Sequence, residues 1–207
     1  CDSALSCPDR NAAIRFLSNA MPSLETQLPG ISNEGLLSLH ELTHGTRNRS
    51  DWGPAVERAK SVLGKSKKEL LTALGFTCQR MDNLTELLSA GEERTALAVL
   101  LNEDEVPEVG TGRFNNLSPI SYALTKADKE RLPWVVMVQG DRVRLYNTKN
   151  IGVGRRGRTE TYVECQPSLL SSGDIGLLWL LFSSDALKEG GTINSILDES
   201  KRFAADI

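Results

Sequence analysis

The sequence contains no apolar run approaching the roughly 18 residues that a membrane span needs. Its 40% hydrophobic and 25% charged content is that of an ordinary soluble globular protein. Cys1-Asp2-Ser3-Ala4 lacks the basic start and apolar stretch of a secretory signal, so a cytoplasmic chain with no membrane partner is expected. Cys1, Cys7, Cys78 and Cys165 include no CxxC pair and no zinc-knuckle or disulfide-framework spacing, which predicts reduced, structural cysteines. A basic excess is missing as well. The chain has 24 Lys and Arg against 27 Asp and Glu, a net charge of -3, so any nucleic-acid surface must be local. No internal repeat is visible.

What is present fits one α/β domain with a helical front, within 207 residues and 22.7 kDa. Residues 1–64 read as a helical, loop-rich N-terminal extension punctuated by Pro8, Pro22, Pro29 and Gly30. In it, Ser32 or Asn33 caps a helix through Leu36, Leu37, Leu39 and Leu42 that stops at Gly45. From Trp52, Val56, Ala59, Val62 and Leu63 recur at helical spacing. Ser66 and Glu69 have capping-box spacing ahead of an apolar face of Leu70, Leu71 and Leu74, with Gly75 as the stop.

The period then changes. Residues 76–80, 84–88 and 95–101 read as strands, and the last, lacking polar alternation, should be covered on both faces. After an acidic loop, Ser118-Pro119 marks a helix start. Residues 134–139 and 142–147 flank Gly140-Asp141 as a hairpin, with Val143 and Leu145 facing the core and Arg142, Arg144 and Tyr146 facing the other way. A strand over 161–165 and helices over 175–182 and from about Thr192 complete an α/β reading: a mixed sheet flanked by helices in a domain over 65–190, then a helix over 191–207 that leads toward a downstream domain.

The order of Leu71-Thr72-Ala73-Leu74-Gly75-Phe76, the hairpin Pro133 to Tyr146, Tyr162-Val163-Glu164-Cys165, and Trp179 to Leu187 resembles the N-terminal region of large DNA methylases. These are the type IIG restriction-modification enzymes and related bacterial phage-defence methylases, and the likeness spans roughly residues 65–207. It implies a restriction-endonuclease-like fold, DNA as partner, and an S-adenosylmethionine-dependent methyltransferase domain downstream on the same polypeptide. Active members place an Asp on one strand and a Glu-x-Lys or Asp-x-Lys on the next, because two carboxylates must hold a divalent metal while the Lys assists hydrolysis. Here residues 95–101 carry no acid, and Glu103, Asp104 and Glu105 lie beyond the strand with no Lys two residues on. Those acids read as a solvated loop and the nuclease as absent or degenerate, so no catalytic residue is assigned. Methyltransferase motifs are lacking too. Gly152-Val153-Gly154-Arg155-Arg156-Gly157 matches GxGxxG on paper but opens no helix, so no cofactor is expected in this segment.

Two local features carry candidate chemistry. Arg142, Arg144, Lys149, Arg155, Arg156 and Arg158 fall within 17 residues that hold no acid. Guanidinium forks on a Gly-spaced loop suit DNA phosphates, and mutual repulsion predicts a mobile loop; the alternative is a hairpin kept solvated by charge. His40-Glu41-Leu42-Thr43-His44 matches HExxH, in which two imidazoles bind zinc and the Glu activates water. A zinc-dependent hydrolase is therefore the alternative function, weighed against an ordinary helix with two histidines, because Gly45 follows at once and no third ligand is apparent.

Overall fold

The structure, a computed structural model, describes residues 28–205. The expectations for residues 1–27, Cys1 and Cys7 among them, and for residues 206–207 lie outside the described residues. The chain is α/β, built on a seven-stranded mixed sheet flanked by helices. The strands are β1 (Ile31–Glu34), β2 (Thr77–Arg80), β3 (Thr85–Ala90), β4 (Glu93–Leu100), β5 (Trp134–Gln139), β6 (Arg142–Asn147) and β7 (Tyr162–Cys165). Their spatial order is β1-β7-β6-β5-β4-β3-β2. Neighbours run antiparallel except β4 and β5, which are parallel and therefore need a crossover. Helix α4 (Pro119–Lys129) supplies it.

Both sheet faces are covered. On β4, Ala96 and Ala98 enter one core and Leu97 and Val99 the other, as the run without polar alternation predicts. The first core lies under α1 (Leu39–Thr43), α2 (Trp52–Lys60), α3 (Lys67–Ala73), α5 (Gly176–Phe182), α6 (Ser184–Leu187) and α7 (Thr192–Ala205). The second is closed by α4 and by Phe114 from the loop before it. On β6, Val143 and Leu145 enter the first core and Tyr146 the second, so the hairpin's polar-looking face is also largely buried.

Two local expectations give way to long-range bonding. Ser32 and Asn33 do not cap a helix: they lie in β1, paired to Glu164 and Val163 of β7. Asn33 instead closes the following turn, accepting from Leu37 N at 3.1 Å and donating to Leu37 O at 2.8 Å. The short helix starts later, where Ser38 Oγ accepts from Glu41 N at 3.2 Å. Ser66 precedes α3 but makes no side-chain cap bond; Lys67 N donates to Gly140 O at 2.7 Å, so the β5–β6 turn anchors this helix start. Residues 28–64 share the first core with the rest of the chain, through β1 at the sheet edge and through Ala55, Ala59 and Val62. Among the described residues, no helix is long and apolar enough to cross a membrane.

Candidate nucleic-acid interface

The six bases of the basic segment have three different environments. Strand alternation puts Arg142 and Arg144 on one face of β6, and the β6–β7 register sets Arg144 opposite Glu164. Arg144 Nε lies 2.6 Å from Glu164 Oε2, and Nη1 donates to Glu108 Oε1 at 2.5 Å and to Tyr146 Oη at 3.0 Å. Its guanidinium sits 4.0 Å from the Tyr162 ring centroid, in cation–π position. With its side chain only 12% exposed, burial alone would weaken the charged form, but the Tyr146 and Glu164 contacts hold its pKa above the ordinary value. Burial pushes the Tyr146 phenol up as well. Arg142 is more exposed and reaches Glu164 Oε1 at 3.6 Å. Both arginines thus belong to a network that fastens β6 to β7 and to the loop bearing Glu108.

The loop after β6 is tied down at several points. Thr148 N donates to Pro133 O at 3.0 Å, and Asn150 Nδ2 to Arg156 O at 3.1 Å. Arg156 pairs with Glu34 at 2.5 Å and Arg158 with Asp128 of α4 at 2.8 Å. The Asp128 contact holds the Arg158 pKa above its ordinary value. The glycines at 152 and 154 serve close approach: a Cβ on Gly152 would fall 2.5 Å from Gly35 O, and one on Gly154 3.0 Å from Gly35 Cα. Gly154 N donates to Gly35 O at 2.8 Å. These glycines pack the loop against Gly35, at the end of β1. Lys149 and Arg155 are exposed and carry no ion pair among the described residues.

No family model, curated protein or solved structure matches this chain.

Among the described residues, the carboxylates on and beside β3 and β4 are engaged separately. On β3, Glu86 pairs with Lys68 at 2.9 Å, its Oε2 is buried without a hydrogen-bond partner, and its neighbour across on β4 is Ala98. Glu93 opens β4, accepts from Glu189 N at 2.6 Å, and is followed two residues on by Thr95 rather than Lys. Glu103 and Asp104 are exposed, but Glu105 is not part of a solvated loop. It is buried, accepts from Asn102 N at 2.8 Å and pairs with Arg113 at 2.5 Å, because the loop needs an anchor where it leaves the sheet. No group of three or more His, Cys, Asp or Glu side chains among the described residues is arranged to hold a metal ion.

His40 and His44 do lie side by side, with ring centroids 5.5 Å apart and planes 18° from parallel. Phe203 of α7 stacks on His40 at 4.3 Å, and Thr43 Oγ1 lies 2.7 Å from His44 Nδ1. Helix α1 ends at Thr43, so His44 is its C-cap, and Glu41 lies against Gly45. Among the described residues, no further His, Cys, Asp or Glu joins His40, Glu41 and His44 in a group arranged to hold the three protein ligands of a zinc centre.

Two further bases, which sequence reasoning left out, lie on the segment that is bonded to the loop through Asp128, Leu132 and Pro133. Lys129, in the last turn of α4, and Arg131, just after it, are exposed and without an ion pair among the described residues. Their signal was the base-rich helix end Lys126, Lys129, Arg131, whose neighbourhood with residue 149 depends on strand pairing.

Proposed function

We propose that this chain is a DNA-contacting module at the front of a bacterial restriction-modification or phage-defence DNA methylase. In this reading its fold is related to restriction endonucleases, its nuclease site is degenerate, and the methyltransferase domain lies downstream on the same polypeptide. The observation that carries the reading is the basic loop. Glycine packing, a bond to Gly35 and the Arg156–Glu34 and Arg158–Asp128 pairs form its frame, while Lys149 and Arg155 stand exposed and, among the described residues, unpaired. A frame with outward bases loses less conformational freedom on meeting phosphates than a loose chain does. The mixed sheet with helices on both faces and the lack of a converging carboxylate pair on β3 and β4 support the same reading.

Anisotropy of a labelled DNA duplex against salt tests it. Lys149→Ala/Arg155→Ala should flatten the slope of log affinity on log salt by about 1.8, from about 0.9 per phosphate contact, and leave the fold intact. Arg156→Ala/Arg158→Ala should flatten it less, since those side chains are already engaged with Glu34 and Asp128. An unchanged affinity and slope in the first variant would contradict the proposal.

A further inference from the structure

We infer that the C-terminal end of α4 forms the second half of the phosphate-contacting edge, with Lys129 and Arg131 acting beside Lys149 and Arg155 on one DNA backbone. This rests on the DNA-contact reading above and adds a second element to it. The two segments are joined by Arg158 Nη2 to Asp128 Oδ2 at 2.8 Å, Thr148 N to Pro133 O at 3.0 Å, and Thr148 Oγ1 to Leu132 O and Pro133 O at 3.1 Å each, while Arg158 Nη1 to Thr148 O at 3.1 Å closes the loop on itself. Residues 128–133 and 148–158 are thereby fastened to one another. Leu132 N donates to Ala127 O at 2.9 Å and Arg131 N to Asp128 O at 3.1 Å, so the helix end that bears Lys129 and Arg131 is itself fixed.

The charge distribution singles out this place. Most described Lys and Arg side chains are ion-paired; the eight without a pair are Lys65, Lys67, Arg80, Lys129, Arg131, Lys149, Arg155 and Lys201. Four of the eight belong to the two joined segments, residues 128–133 and 148–158. The acids close to them are already occupied: Asp128 by Arg158 and Glu130 by Arg94 at 2.8 Å. Glu160 is the nearby carboxylate without an ion pair among the described residues, which leaves an excess of three positive charges. Lys129 also offsets the partial negative charge at the helix C-terminus, which would otherwise repel a phosphate. An edge with unpaired bases from two rigidly joined segments matches a polyanion with regularly spaced charges better than a single small anion.

The test measures binding of a short fluorescein-labelled DNA duplex across a salt series, using the wild-type chain, Lys129→Gln/Arg131→Gln, Lys149→Gln/Arg155→Gln, and a charge-matched control, Lys65→Gln/Lys201→Gln. Lys129→Gln/Arg131→Gln should weaken binding roughly 10-fold or more near 0.1 M salt and flatten the slope by about 1.8, with the control unchanged. If the loop variant flattens the slope and the helix variant does not, the second half of the edge is wrong and the module reading stands. If the wild-type chain shows no salt-dependent DNA binding, both fall. Equal losses in the control would reduce the effect to net charge and overturn the inference. So would wild-type binding to phosphatidylserine vesicles in preference to DNA.

Discussion

Arg144 and Lys149 lie five positions apart in one basic segment and have opposite environments. Arg144 is sequestered by Glu164, Glu108, Tyr146 and the Tyr162 ring, whereas Lys149 is exposed and unpaired among the described residues. Removing one partner of a buried pair strands the other, so Arg144→Ala should cost about 2–4 kcal/mol in urea unfolding, while Lys149→Ala and Arg155→Ala should each stay within about 0.5 kcal/mol. Similar costs for all three would contradict the division. Period-two alternation was enough to put Arg144 on the face of β6 shared with Tyr146. Its partners were not legible, because Glu108 and Glu164 arrive from other segments and the β6–β7 register is a tertiary fact.

Tyr146 gives a pH prediction. Burial raises its phenol above the ordinary value of 10.0, so the folded chain keeps a proton that the unfolded chain releases. Stability is then full below about pH 10 and falls as pH rises toward the folded value. Buried Cys165, raised well above its ordinary 9.0, acts in the same direction and starts about one unit earlier. The melting temperature should therefore decline on the alkaline side, and Tyr146→Phe should show a shallower decline. An identical alkaline profile in that variant would refute this source of the pH dependence.

Among the elements, helix starts show where local signals suffice. Ser118 Oγ accepts from Ser121 N at 3.2 Å with Pro119 following, as the Ser-Pro pair predicted. Ser66 carries the equally plausible capping-box signal, yet its helix begins on the bond from Lys67 N to Gly140 O. Ser118→Ala should lower stability by about 1 kcal/mol and Ser66→Ala by no more than a few tenths, read as shifts in denaturation midpoint. Equal shifts would contradict the assignment. β1 went unread for a related reason: four residues are too few to display a period, and Ser32 and Asn33 are good cap residues until β7 supplies the hydrogen-bond partners. The hairpin β5–β6 and the doubly covered β4 were legible because their signals, a Gly-Asp turn between apolar strands and an unbroken apolar run, are local.

For the whole molecule, the arrangement of acids and bases was hidden in the near-neutral composition. Among the described residues, fifteen ion pairs absorb most of the charge and leave several bases of residues 128–133 and 148–158 unpaired, which no linear count displays. Because Glu86 faces Ala98 and Glu93 is followed by Thr95 rather than a strand-borne Lys, duplex DNA should remain uncut with magnesium or manganese. Specific cleavage abolished by Glu86→Gln or Glu103→Ala would locate a site this account does not contain. In the proposed reading, the exposed bases of residues 128–133 and 148–158 engage DNA phosphates. That engagement is tested most directly by the wild-type chain's affinity for two unrelated duplexes between about 50 and 200 mM salt. Log affinity should fall linearly with log salt at a slope of about -3 to -4 for both sequences, as about four phosphate contacts require. A slope near zero, or no measurable binding at the low-salt end, would contradict it.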